Sequence, residues 1–152
     1  MVPSQPEGST VLGEYTSNEM WSIFANTTQL LADNEIVDFI IPCGTAIQNA
    51  RHTYLDCVGN YGHLTYDGTH LQEGLPCLIE AYTAAQSLFS FFNLDLSIAQ
   101  SNLVITQEMV ESKKIPGQHG SVIVGSVEDY VLCKECAMAA FANPYHITLF
   151  DE

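Results

Sequence analysis

The sequence predicts an α/β unit that is mostly helical and carries one strong strand. Three observations lead there. Ile36-Val-Asp-Phe-Ile-Ile41 is a short apolar run rich in β-branched and aromatic residues, and Pro42 ends it. A helical pattern precedes this run, which gives a helix-then-strand unit. Two further helical patterns follow, at about residues 72–92 and 127–142. A chain of 152 residues is long enough for one domain.

Taken in order, residues 1–16 hold Pro3, Pro6, Gly8 and Gly13 and read as a flexible leader. Ser17 or Asn18 can cap the first helix. Met20, Ile23, Phe24, Thr27, Leu30 and Leu31 are then spaced along one face as far as about Asp33. After a short turn comes the strand at 36–41. Residues 42–66 read as a long loop with a short helix around 46–54, and loops of that length are usually functional. The helix at 72–92 carries Pro76 near its start, where a missing N–H is tolerated. The last third shows a short helical pattern at 106–112, a break at Pro116-Gly117 and a second strand candidate, Ser121-Val-Ile-Val-Gly125. A helix from about 127 to 142 follows and stops at Asn143-Pro144. The expected organisation is a leader at 1–16, a central unit at 17–93 and a helical C-terminal extension at 94–152. One strand and one candidate are too few for a complete parallel sheet, because a lone strand leaves backbone groups unpaired on both edges. The sequence therefore leaves three possibilities: a first half that is missing, a first half supplied by a partner, or a mainly helical fold.

The charge balance is acidic, with 18 Asp and Glu against four Lys and Arg, a net of −14. The cations are Arg51, Lys113, Lys114 and Lys134. This argues against binding nucleic acid or an anionic membrane surface. The apolar stretch at 75–92 contains Glu80, Gln86 and Ser87 and reads as a buried helix, not a membrane span. No charged and apolar leader of the secretory type opens the sequence.

The five cysteines, at 43, 57, 77, 133 and 136, argue by their odd count against a fully paired disulfide framework. Cys133-Lys-Glu-Cys136 has neither a second cysteine pair nor a histidine pair at zinc-site spacing, so it reads as buried thiols and no metal or cofactor is expected. A metal site from His52, Asp56 and His63 has no recognised spacing. Cys43, at the end of the strand, is a candidate nucleophile. His119 and His146 read as incidental.

The feature that carries chemistry is Asp67-Gly-Thr-His70. An acid three residues before a histidine, on a glycine turn, can fold its carboxylate onto Nδ1 of the ring. That contact fixes the tautomer and leaves Nε2 free to act as a general base. Gln48, Asn49 and Arg51 lie in the loop before it. Their amides and guanidinium can bind a substrate carbonyl, hydroxyl or carboxylate, or can pin the loop to its own backbone.

Two segments carry a resemblance: Ile40-Ile-Pro-Cys-Gly-Thr-Ala-Ile-Gln-Asn-Ala-Arg51 and Thr65-Tyr-Asp-Gly-Thr-His-Leu71. Together they resemble the C-terminal part of an SGNH/GDSL-type hydrolase, over about residues 36–93. The resemblance implies a partial flavodoxin-like, three-layer unit. It also implies an ester hydrolase in which Asp67 and His70 complete a Ser-His-Asp triad, with acyl esters, including acylated carbohydrate, as the substrate class. Such relatives are often exported. Tyr66 stands where an arginine is expected before the acid. The family's serine block, Gly-Asp-Ser or Gly-Asn-Ser, is not visible upstream of residue 36. Ser4 and Ser9 have no strand before them, and Ser121 and Ser126 lie downstream of the histidine. The expectation is an esterase-derived unit that is impaired alone and takes its N-terminal half or another protein as partner. The alternatives are a non-catalytic binding module and a truncated remnant.

Overall fold

The structure, a computed structural model, describes residues 10–11, 15–57, 64–65, 70–71, 74–95, 106–108 and 125–150. Four helices make up most of it: α1 (Ser17–Asp33), α2 (Cys43–Arg51), α3 (Leu75–Phe91) and α4 (Val127–Ala142). A 3-10 turn at Tyr54–Cys57 follows α2.

The predicted α/β architecture is not what forms. Among the described residues, strand pairing is confined to a two-residue antiparallel ladder, β1 (Thr10–Val11) with β2 (Tyr15–Thr16), and an isolated bridge between Thr65 and Leu71. Residues 36–41 are not a strand. The reason is geometric. A helix closes its hydrogen bonds within one segment, whereas a strand exists only beside another. No described segment pairs with 36–41 as a strand. Of the second candidate, only Gly125 is described, and it is coil.

α1 spans the predicted range and ends in a Schellman motif. The Ile36 amide donates to the Leu31 carbonyl and the Glu35 amide to that of Ala32, with Glu35 at φ 55°. α3 ends the same way. The Leu94 amide donates to Phe89 and that of Asn93 to Ser90, with Asn93 at φ 53°. Asparagine tolerates this left-handed conformation better than glutamate does.

Of the loop expected at 42–66, the described residues are largely helical. α2 starts at Cys43, directly after Pro42, and its carbonyl-to-amide ladder opens with the Ala46 amide on Pro42. Every residue from Thr45 to Ala50 is buried. The small side chains of Ala46 and Ala50 let α2 lie close to α4, which presents Cys133, Cys136, Ala137 and Ala140. Leu75, Ile79 and Tyr82 of α3 and Leu55 of the 3-10 turn complete this core. No residue of α1 belongs to it. The face predicted for α1 points largely outward: Ile23, Phe24 and Leu30 are exposed.

α4 begins with a capping box. The Ser126 hydroxyl accepts from the Asp129 amide at 3.2 Å, and an Asp129 carboxylate oxygen accepts from the Ser126 amide at 2.6 Å. At Gly125 the chain passes so close to α3 that a Cβ would stand 3.2 Å from Leu75 Cδ2. Gln107 and Glu108 are helical, and the rest of the helical pattern predicted at 106–112, apart from Thr106, lies outside the described residues.

Candidate functional site

The segment that bears the proposed dyad starts from α2. Arg51, the last residue of α2, donates through Nη2 to Thr65 Oγ1 at 2.9 Å. Thr65 pairs with Leu71 across the antiparallel bridge. The bridge brings the two ends of the 65–71 segment together and leaves His70 exposed next to its closing residue. Asp67 lies outside the described residues, as do Tyr66, Gly68 and Thr69.

Two charged side chains lie near the bridge, Arg51 and Asp56. Asp56 is buried, and its Oδ1 accepts from the Leu64 amide at 3.2 Å. Burial lowers the tendency of Arg51 to hold its proton, and the nearby Asp56 carboxylate works the other way. Arg51 Nε is buried without a hydrogen bond among the described residues. The pair therefore has a structural duty, tying the end of α2 to Leu64 and Thr65.

The other predicted binding residues sit inside α2. Gln48 is buried. Asn49 is fully buried, and both ends of its amide are engaged. Nδ2 donates to the Cys136 carbonyl at 3.1 Å, and Oδ1 accepts from the Thr148 amide at 2.8 Å. Thr45 forms a second link to the C-terminal segment. Its hydroxyl donates to the Pro144 carbonyl at 2.6 Å and accepts from Trp21 Nε1 at 3.1 Å. These links over 24 to 99 residues were not foreseen, and no local pattern in the sequence announces them.

Three of the thiols are held in their protonated form by burial. Burial, then the charge of Glu80, pushes Cys43 up to about 11. Burial drives Cys133 still higher and Cys136 up to about 12. Ser126 is engaged as a helix cap. His52 is exposed, and His63 and His119 lie outside the described residues. Among the described residues, no group of three or more His, Cys, Asp or Glu side chains is placed to hold a metal ion. No described helix is long and apolar enough to cross a membrane.

A separate groove runs beside α1. Trp21, Phe24, Ile40, Ile41, Pro42 and Tyr145 are among its lining residues. It shares no lining residue with the Arg51–Thr65–His70 region.

Neither the curated proteins nor the solved structures give a match to this chain. One family model does match, over residues 10–114, and so spans α1, α2, α3 and the 65–71 segment. The chain belongs to the family described as Domain of unknown function (DUF4886).

Proposed function

We propose that the chain carries the acid/base part of an SGNH-type serine ester hydrolase, with Asp67 and His70 as its working pair. Acyl esters, among them acylated carbohydrates, are the substrate class. The observation that carries this reading is the Thr65–Leu71 bridge, which brings together the residues on either side of Asp67-Gly-Thr-His70 in the sequence, with His70 exposed beside it. The hydrogen bond from Arg51 fixes Thr65, one side of the bridge, to the end of α2. Support also comes from the two sequence segments that resemble the hydrolases. The reading rests on those segments and on the bridge, and on no particular sheet.

In this reading His70 takes a proton from an attacking hydroxyl and later returns it to the leaving alcohol. Asp67 orients the ring and stabilises its charged form. Gln48 and Asn49 are buried in α2, and the Asn49 amide is engaged with Cys136 and Thr148, so this reading assigns the chemistry to Asp67 and His70. Arg51 acts by holding Thr65. Without an attacking serine and oxyanion donors, only a small part of the usual rate enhancement is expected from the chain alone.

Hydrolysis of p-nitrophenyl acetate, followed in the full chain and in His70→Ala and Asp67→Asn, tests this. Slow hydrolysis is expected, lost in the first variant and reduced in the second, with no covalent fluorophosphonate adduct. A rate indifferent to His70→Ala would sink the reading. A fluorophosphonate adduct that requires His70 would instead reveal a complete triad, and mapping it would name the nucleophile.

A further inference from the structure

Residues 36–41 form an apolar stretch that is only partly covered. Ile36 is 67% exposed, Phe39 40% and Ile41 39%. Phe39 stacks on Phe91 of α3 with centroids 4.3 Å apart, and Phe91 meets Phe92 edge-on at 5.1 Å. The stack joins the segment to the C-terminal end of α3, where Phe92 is 61% and Leu94 51% exposed. The two Schellman motifs explain the arrangement. Each turns the chain sharply and places an apolar residue, Ile36 or Leu94, just past a helix end. Such residues ordinarily fold back on their own helix, but these two face solvent.

The backbone is uncovered as well. Among the described residues, no hydrogen bond joins the main-chain groups of residues 37–40 to any other residue. An apolar surface of this extent, beside unpaired N–H and C=O groups, marks a place where another chain adds.

The charge around it selects the occupant. Asp33, Glu35 and Asp38 are exposed within or next to the segment, and Asp95 follows Leu94. None of Asp33, Glu35 and Asp38 forms an ion pair among the described residues. Of the four cations, Arg51 is bonded to Thr65, Lys134 sits on α4, and Lys113 and Lys114 lie outside the described residues. A second copy would bring the same acids and a further net charge of −14. An anionic bilayer would be repelled for the same reason.

We propose that the face made by residues 36–41 and the C-terminal end of α3 docks an extended segment of another protein, one with apolar side chains flanked by lysine or arginine. The apolar side chains cover Ile36, Phe39 and Phe92, the main chain pairs with residues 37–40, and the basic flanks meet Asp33, Glu35 and Asp38. This inference uses neither Asp67 nor His70.

Trp21 is the only tryptophan and lines the groove together with Ile40 and Ile41, so its emission reports on this face. The probe is an eight-residue peptide with a Val-Ile-Val-Ile centre and two lysines at each end, set against a twin with glutamates at the ends. The lysine peptide is expected to give a saturable change in emission, with the same constant by calorimetric titration. Its affinity weakens as salt rises from low to molar concentration. Phe39→Ser weakens it about tenfold or more, the size expected for an aromatic anchor. Ile36→Ser, at a more exposed position, serves if the first variant fails to fold. Equal binding of the two peptides, no saturation with either, or an affinity indifferent to both variants would overturn the proposal. So would a concentration-dependent dimer in sedimentation that Ile36→Ser abolishes, because a second copy would then occupy the face.

Discussion

α2 and residues 36–41 are neighbours in the chain, separated by Pro42 alone, and they meet opposite fates. All residues from Thr45 to Ala50 are buried in α2, although Thr45, Gln48 and Asn49 are polar. Ile36, Phe39 and Ile41 are apolar and remain exposed. The difference lies in where the hydrogen bonds go. α2 satisfies its main chain internally, and Thr45 and Asn49 find partners on the C-terminal segment. Residues 37–40 have no such arrangement among the described residues, so their apolar character alone does not secure burial. Burial requires a neighbour that can complete the backbone as well as cover the side chains.

Breaking the buried side should cost most. Ile79 is fully buried among α2, α3 and α4, and Ile79→Ala should lower stability by about 2–5 kcal/mol in a urea titration. Alkaline pH should strain the same side. Burial pushes Cys136 and Tyr82 up to about 12, so the folded chain keeps protons that an unfolded chain gives up from about pH 9.0 upward. The folded state then binds more protons than the unfolded state, and stability falls as pH rises through that window. A urea midpoint that stays flat from pH 9 to 11 would contradict this.

Removing the tie between α2 and the C-terminal segment should be milder. Asn49→Ala leaves the Thr148 amide and the Cys136 carbonyl without their partner, at about 1–3 kcal/mol, and the Thr148 amide should exchange faster. The uncovered side should barely respond. Phe39→Ser is expected to change the stability of the free chain by no more than about 0.5–1 kcal/mol, the small excess coming from the lost stack on Phe91. A large loss there would mean that the face is already part of a core.

Helices were the legible part of the sequence. α1 and α4 fall on the predicted ranges, because the turn and cap residues at Asp33-Asn34, Ser126 and Asn143-Pro144 act locally. α3 begins at Leu75, three residues later than expected, after an N-cap glycine, Gly74, whose φ of 107° suits glycine. The strand was misread for a reason that lies outside its own residues. Ile36-Val-Asp-Phe-Ile-Ile41 has the composition of a strand, but strand formation depends on a second segment that the composition does not specify. The apolar face of α1 is legible from its periodicity, but periodicity does not show what covers a face, and Ile23, Phe24 and Leu30 are exposed. At the site, the sequence singles out His70 only by its spacing to Asp67 and the glycine between them, and His70 is exposed beside the Thr65–Leu71 bridge. The structural duty of Asn49 and Arg51 is not legible there, because their partners at Cys136, Thr148 and Thr65 are brought near only by the fold.

Native-state hydrogen exchange on the full chain, read residue by residue, tests the central contrast most directly. Amides of Ile47, Thr83 and Ala137 should exchange only through global opening, while those of residues 37–40 should exchange at rates close to those of an unstructured peptide. Protection at residues 37–40 comparable to that of α2 would contradict the account, since it would mean that this segment is already paired in the free chain.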